Sequence, residues 1–373
     1  MIYADNAATT KLCKEAYDAM KPYLLEEYGN ASQPYFFAEP AKKALKEARE
    51  TIASCIGAGP EEIYFTSGGT ESDNWVIKSS LFLDKEKNEI ITSQIEHHAI
   101  LNSCSTVQSL GIPVHYLSVD SAGIVCSAEF ERCVSDRTSI VSVMYGNNEI
   151  GTIEPIKELA EITHAYGALF HTDAVQAVGH IPIDVHALGV DFLSASAHKF
   201  NGPKGIGFLY IRKGVTIHPY VDGGLQERGY RAGTENVAGI IGMVVALQKN
   251  TARIREEHSR LKDLEDALVS RLQQSGLDFI RNGAENHLPG NVSLSFRGAD
   301  GEMLLHRLDL KGICISTGSA CDSVNTQVSH VIKAIHVPEE YAEGTIRITF
   351  GADNTEDDAV QIADAIIQVL RKS

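Results

Sequence analysis

Lys199 closes the run Ser194-Ala195-Ser196-Ala197-His198-Lys199 and is followed at once by Phe200-Asn201-Gly202-Pro203-Lys204-Gly205-Ile206-Gly207. A lysine at the end of an apolar strand, with a serine and a histidine beside it and a glycine-rich turn behind it, has the parts for Schiff-base chemistry. Burial lowers an amine's pKa toward the neutral form that attacks an aldehyde, while the side chains of Ser196 and His198 are suited to a phosphate. The phosphorylated aldehyde that this combination suggests is pyridoxal phosphate. The same local pattern also suits a surface lysine in a turn, and Lys204 fits that description equally well.

Five further clusters carry chemistry. In Thr66-Ser67-Gly68-Gly69-Thr70-Glu71-Ser72-Asp73 the glycines let backbone N–H groups approach an anion at a helix start, although Thr70 with Asp73 also fits a capping arrangement and the lysine of a P-loop is missing. Asp173 ends the run Leu169-Phe170-His171-Thr172-Asp173, where open α/β sheets bind ligands. It suits either a protonated pyridine nitrogen or a helix cap, and Gln176 three residues on suits a ring hydroxyl or solvent. Glu96-His97-His98-Ala99 offers an imidazole for ring stacking and proton transfer, and Asn147-Asn148-Glu149 an amide for a carboxylate or ring oxygen. Cys321 lies in Ser316-Thr317-Gly318-Ser319-Ala320-Cys321-Asp322-Ser323, small residues that cannot fill a core and read as a mobile loop with an available thiol. The other six cysteines read as core or incidental thiols.

These clusters need a frame. From residue 60 to about 215, β-rich runs (Glu62–Thr66, Glu89–Ser93, Val114–Val119, Ser139–Met144, Ala168–Asp173, Asp191–Ser194, Ile206–Ile211) alternate with helical stretches such as Glu71–Asp84 and Pro155–Tyr166. The alternation predicts an α/β domain with a largely parallel sheet. Val237–Leu247 reads as a buried helix too short to span a membrane. Leu261, Leu264, Leu268 and Leu272 then recur at helical spacing, and strands at Asn291–Phe296 and Thr345–Phe350 suggest a smaller α+β domain. The expected division is 14–250 for the large domain, with 1–13 and 251–373 forming the small one.

Composition excludes several classes. Lys+Arg 33 against Asp+Glu 49 gives a formal charge of −16 over 373 residues, which argues against direct nucleic-acid binding. No secretory or transit pattern precedes Asp5, so a cytoplasmic protein is expected. Seven cysteines without a Cys-x-x-Cys pair give neither a disulfide framework nor a zinc site, and no metal is expected.

Taken together, Ser67-Gly68-Gly69-Thr70-Glu71-Ser72, Glu96-His97, Asn147-Asn148-Glu149-Ile150-Gly151, Asp173-Ala174-Val175-Gln176, Ser196-Ala197-His198-Lys199, Arg231-Ala232-Gly233-Thr234 and Gly318-Ser319-Ala320-Cys321 resemble the cysteine desulfurases of class V aminotransferase type. The resemblance covers nearly the whole chain. It implies the fold of a fold type I pyridoxal-phosphate transferase, with a mainly parallel seven-stranded sheet. It also implies that Lys199 carries the cofactor, His97 stacks on its ring, Asp173 pairs with the ring nitrogen, Gln176 contacts the ring hydroxyl, and Gly69, Thr70, Ser196 and His198 hold the phosphate. Thr234 would then reach the neighbouring site of a homodimer, while Arg347, in Arg347-Ile348-Thr349-Phe350-Gly351, and Asn148 bind the carboxylate of L-cysteine. Cys321 would take the sulfur as a persulfide, leaving L-alanine, and pass it to an acceptor protein for iron–sulfur assembly or thio-modification.

Tyr35 stands where relatives carry histidine, which bears on the entrance of the site, and Asp322 raises rather than lowers the pKa of its neighbour's thiol. The chain ends soon after its last helix, so a long docking tail is not expected. The rival readings are a selenocysteine lyase or aminotransferase of the same fold, and a non-catalytic dimeric scaffold.

Overall fold

The alternating runs become one seven-stranded sheet in the computed structural model, which describes residues 1–82, 86–317 and 328–371. After a two-residue strand β1 (Ile2–Tyr3), the sheet is built from β2 (Ile63–Thr66), β3 (Glu89–Ser93), β4 (Val114–Leu117), β5 (Thr138–Ser142), β6 (Leu169–Asp173), β7 (Phe192–Ser196) and β8 (Gly207–Ile211). Their spatial order is β2-β8-β7-β6-β5-β3-β4. Only β8 runs antiparallel to its neighbours, so β2, β7, β6, β5 and β3 all end on the same edge. Every residue of β2, β5, β7 and β8 is buried, as a sheet covered on both faces requires.

A second, antiparallel sheet joins β9 (Phe279–Asn282), β10 (Asn291–Phe296) and, beyond the short β11 (Ile313–Cys314), β12 (Thr345–Thr349), in the order β12-β10-β9. β1 pairs with β11 in parallel, which brings the N-terminus beside this smaller sheet. One 38-residue helix, Val237–Gln274, serves both cores. Its first half buries Ile240, Met243 and Leu247 against the large sheet, and its second half buries Leu261, Leu264, Leu268 and Leu272 with Val292, Ile346 and Ile362. The segment Val237–Leu247 is thus the start of a helix that passes residue 250 without a break. Burying such a leucine contributes roughly 1.5–3 kcal/mol. Gly276, with φ +75°, ends the run.

The helix expected at Glu71–Asp84 starts at Gly69 and stops at Ser79, where a 3-10 turn Ser80–Phe82 takes over. The hydroxyls of Ser79 and Ser80 donate to the carbonyls of Trp75 and Ile77 and so compete with the helical ladder. Among the described residues no helix is long and apolar enough to cross a membrane.

Glu265 fastens the small sheet to the loop that bears Asn148. Its buried carboxylate accepts from Arg281, from His287 at 2.8 Å and from the Gly290 amide at 2.6 Å. The Leu288 amide in turn donates to the Gly151 carbonyl at 2.8 Å, and the Asn291 side chain to the Asn148 carbonyl at 3.4 Å. Burial opposes the charge on Glu265, but its three donors outweigh that and hold the carboxyl below its usual range. The same carboxylate raises His287. A raised histidine gives a share of stability that is complete below its ordinary 6.5 and fades as pH rises through the folded value. A lowered carboxyl gives a share that is complete above 4.5 and fades on acidification. Thermal unfolding across pH should therefore show a maximum between those limits. Glu265→Gln should flatten the maximum and lower stability there by about 2 kcal/mol, less than for a fully buried pair because Arg281 and His287 are partly exposed. A deficit that does not vary with pH would contradict this assignment.

Candidate active site

The chemistry-bearing clusters follow β2, β3, β5, β6 and β7, five of the six strands that end on one edge of the sheet. After β2 the chain turns at Gly68, with φ +147°, and enters the helix Gly69–Ser79. A Cβ on Gly69 would lie 2.4 Å from Val175 Cγ2, and one on Gly207 would lie 2.7 Å from Gly68 Cα. Only glycine lets this turn lie against the ends of β6 and β8. The first amides of the helix, including those of Gly69 and Thr70, have no acceptor within it and form an anion cradle, with Ser196 Oγ across the turn. The capping alternative for Thr70 and Asp73 is not what forms. The N-cap is Gly68 without a side-chain cap, because Asp73 turns into the interior, and Glu71 bonds the Ser67 amide at 2.8 Å instead.

Lys199 sits in the 3-10 turn after β7, half-buried, whereas the alternative Lys204 is exposed. Its Nζ donates to the Ala7 carbonyl and, at 2.9 Å, to the Ala8 carbonyl. Gln176 Nε2 donates to the same Ala7 carbonyl at 2.9 Å. His198 Nδ1 pairs with Thr9 Oγ1 at 3.1 Å, and the His198 carbonyl accepts from the Thr10 amide and hydroxyl. Asn201, in the left-handed region at φ 64°, donates its backbone N–H to Thr10 Oγ1 and its side chain to the Lys11 carbonyl. Residues 5–11 therefore form a strap across Lys199, Gln176 and His198. Burial, with Lys199 and Lys204 nearby, pushes His198 down to about 4, so its ring is neutral near pH 7.

The strap also reaches the small sheet. The Ala7 amide donates to Thr349 Oγ1 at 2.9 Å, Asp5 Oδ1 accepts from Arg347 Nη2 at 2.6 Å, and Arg347 Nη1 donates to the Asn148 carbonyl at 3.0 Å. Arg347 is 2% exposed. Lys199 and Arg347, 148 positions apart in the chain (347 − 199), thus share one short segment as a support.

On the other side of Lys199 lies a group of buried acids. Ligand atoms of Asp73, His97 and Asp173 all fall within 4.8 Å of one another. Burial raises Asp173, opposed by His97, by the Val175 amide that donates to it at 2.9 Å, and by Lys199. Burial likewise lowers His97, so the ring is neutral. Its Nδ1 accepts from the Ala99 amide at 3.1 Å, which leaves the proton on Nε2. Glu96, fully buried, accepts from the Ser93 hydroxyl at 2.6 Å and the Met144 amide at 2.9 Å; burial, reinforced by Asp173, pushes it up to about 8.

Thr234 is exposed, on a loop tied by Arg231 to Glu71 at 2.8 Å, and is not drawn into the site of its own chain. Tyr35 is exposed beside Phe36 and Phe37. Cys321 lies outside the described residues; the described chain leaves at Thr317, next to the Ser316–Arg347 backbone pair. Of the other cysteines only Cys104 is buried, and Cys126 is exposed.

Sequence reasoning read Asp73 only as a cap, gave Asp5 and Glu96 no role, and did not find the strap. Asp73 had a visible signal: it shares the buried helical stripe with Gly69, Ser72 and Val76, an uncommon place for a carboxylate. The strap had none, because it acts through backbone carbonyls.

Residues 2–362 match the family described as Aminotransferase class-V. A cysteine desulfurase IscS from Dictyoglomus turgidum is 49% identical over 373 residues, covering 100% of this chain and 95% of that protein. A solved NifS-like protein superposes with a TM-score of 0.94 at 38% identity, with full coverage of both chains. A solved SspA in complex with cysteine gives 0.84 at 34% identity, covering 94% of this chain and 99% of the other.

The raised Glu96 gives a stability test. A carboxyl that folds with a pKa of about 8 instead of 4.5 holds more protons than the unfolded chain between those limits. Stability then falls as pH rises through that window, by up to about 1.4 kcal/mol per pH unit. Glu96→Gln keeps the acceptor for Ser93 and Met144 without the charge. Thermal unfolding should find the two proteins alike in mild acid and the variant increasingly more stable toward pH 8; a constant gap would contradict this.

Proposed function

Because the chain belongs to the aminotransferase class-V family and, within it, to the cysteine desulfurases, we propose that the cleft at the edge of the large sheet binds pyridoxal 5'-phosphate and L-cysteine and passes the substrate's sulfur to Cys321. The observation that carries this reading is the meeting of an anion cradle, a buried carboxylate, a neutral histidine and a lysine at one sheet edge, joined by the strap to a buried arginine.

The residues fit the cofactor. Open helix amides at Gly69 and Thr70, with Ser196 and His198, would hold its phosphate; Asp173 its ring nitrogen; Gln176 its ring hydroxyl; His97 its ring face; and Lys199 its aldehyde. When bound, pyridoxal phosphate supplies the electron sink that makes the Cα proton of an amino acid acidic. Arg347 and Asn148 hold the substrate carboxylate, the guanidinium fork matching it in two bonds. Lys199 takes the Cα proton, and the two carbonyls of the strap are acceptors for the ammonium it becomes. His97, neutral with its proton on Nε2, serves proton transfer at the substrate sulfur.

The Cys321 thiolate then attacks that sulfur. A new S–S bond forms, the substrate's C–S bond breaks, and protonation of the carbon skeleton gives L-alanine and a Cys321 persulfide. An acceptor protein in iron–sulfur assembly or thio-modification takes the sulfur on. A cytoplasmic setting suits this cycle, since thiols stay reduced there.

We read the working unit as a homodimer in which Thr234 completes the neighbouring site. Its exposure supports this, as does Leu225 on the same loop, 88% exposed. Cysteine as the ligand of one structural relative supports the substrate.

The purified protein with L-cysteine and a reductant should release alanine and sulfide. Cys321→Ser should abolish sulfide while keeping the visible cofactor band, and full sulfide production by that variant would overturn the assignment. Arg347→Ala should lower kcat/KM for L-cysteine by about 10- to 100-fold, the worth of a charge-assisted pair, mostly through KM.

A further inference from the structure

Asp73 has no role in the chemistry above, yet its surroundings are unusual for a carboxyl. It lies on the helix Gly69–Ser79 with its side chain 1% exposed and, among the described residues, no lysine or arginine paired with it. The nearest basic group, His171, stands 3.7 Å from Asp73 Oδ1, beyond hydrogen-bond reach. Burial pushes His171 down to about 3, and both its nitrogens are already taken, Nδ1 by Ser142 at 2.8 Å and Nε2 by Ser194 at 3.0 Å. Asp73 Oδ1 has no hydrogen-bond partner among the described residues.

Asp173, by contrast, has support for a negative charge: the Val175 amide and Lys199 both favour it. Two carboxyls within 4.8 Å of each other in a water-poor pocket cannot both ionise, and the proton goes to the one with less support. Asp73 faces Asp173, Glu96, His97 and His171, none of which supplies a positive charge near pH 7. Burial first, then the charge of Asp173 and of Glu96, push Asp73 well above the usual carboxyl range, and the Ser194 hydroxyl opposes this only in part. Asp173, with a carboxylate oxygen within 4.8 Å, is the neighbour toward which the proton of Asp73 can turn.

We propose that Asp73 is a positioning residue that stays protonated and donates a hydrogen bond to the Asp173 carboxylate, holding it charged and turned toward the ring nitrogen of the cofactor. The inference rests on the cofactor reading of Asp173, although its protonation half stands apart from that reading. A neutral Asp73 keeps the pocket at one negative charge, which matches one protonated pyridine nitrogen. A second charge there would find no partner.

Asparagine has the shape of a protonated aspartic acid and donates through its NH₂ group, so it separates a neutral donor from an anion. Cofactor affinity and the pH midpoint of the visible band are measured for the wild type, Asp73→Asn and Asp73→Ala, with circular dichroism of each as the check on folding. Asp73→Asn should stay within about twofold of wild type in affinity with its pH midpoint unchanged, whereas Asp73→Ala should bind the cofactor about tenfold more weakly, the equivalent of one lost charge-assisted hydrogen bond. Asp73→Asn behaving like Asp73→Ala would overturn the proposal, since it would mean that the pocket needs a second negative charge, for instance to hold a cation. Wild-type affinity in a folded Asp73→Ala would overturn it as well. Independently, the infrared difference between the cofactor-free wild type and Asp73→Asn near pH 7 should contain the C=O stretch of a protonated carboxyl. A carboxylate band in its place would refute the protonation whether or not the variants fold equally well. If the wild type never shows a visible band with pyridoxal phosphate, the cofactor reading fails, and the infrared result still decides the state of Asp73.

Discussion

The ion pair between Asp5 and Arg347 is the joint on which the site depends. It fixes the start of a seven-residue strap whose carbonyls at Ala7 and Ala8 receive the Lys199 amine and, at Ala7, the Gln176 amide. Neither end of this arrangement is held within a single core. Arg347 belongs to the small sheet and Lys199 to the edge of the large one; the strap holds the first through the Asp5 carboxylate and the second through backbone carbonyls. A loss at Asp5 would therefore free the arginine and loosen the support of the lysine together. The long helix Val237–Gln274 makes the joint feasible, because one rigid element packs into both cores and holds the two sheets at a fixed distance.

A second constraint is electrostatic. The floor of the cleft contains Asp73, Glu96 and Asp173, all nearly free of solvent, with the rings of His97 and His171 beside them. Ionising all three would be far too costly in a medium of low dielectric. The fold resolves this by giving donors unequally. Asp173 receives an amide and the neighbourhood of Lys199, Glu96 receives a hydroxyl and an amide and still rises to about 8, and Asp73 receives least. One carboxylate is thereby singled out as the charged one, and it is the one that ends a strand at the ligand edge of the sheet.

The positions of the strands were readable from β-rich runs because buried parallel strands leave near-continuous apolar stretches, and all seven of the large sheet lie within a few residues of where that pattern puts them. The end of the helix after Gly69 was not, since Ser79 and Ser80 break it through local hydrogen bonds that the apolar pattern does not encode. The cradle at Gly68 and Gly69 was legible for a reason that the structure makes explicit: a side chain at Gly69 would strike Val175. Asp5 escaped notice because a lone acid near a terminus has many uses, and its partner lies 342 positions away. Spacing along a chain reports on helices and strands, but it is silent about a contact made by a backbone carbonyl across two sheets.

Arg347 joins these strands of reasoning. Its side chain reaches Asp5 and the Asn148 carbonyl, while its own backbone N–H and C=O pair with Ser316, one residue before the described chain leaves toward Cys321. On the proposed reading, a substrate held by its carboxylate is registered to the same residue that fixes where the segment toward Cys321 begins. The distance between the carboxylate anchor and the root of that segment is set by β12 alone, and every residue of that strand is buried. On that reading, carboxylate recognition and sulfur capture are referred to one rigid strand, and the proton chemistry to the edge of the other sheet. The strap is what keeps the two in register.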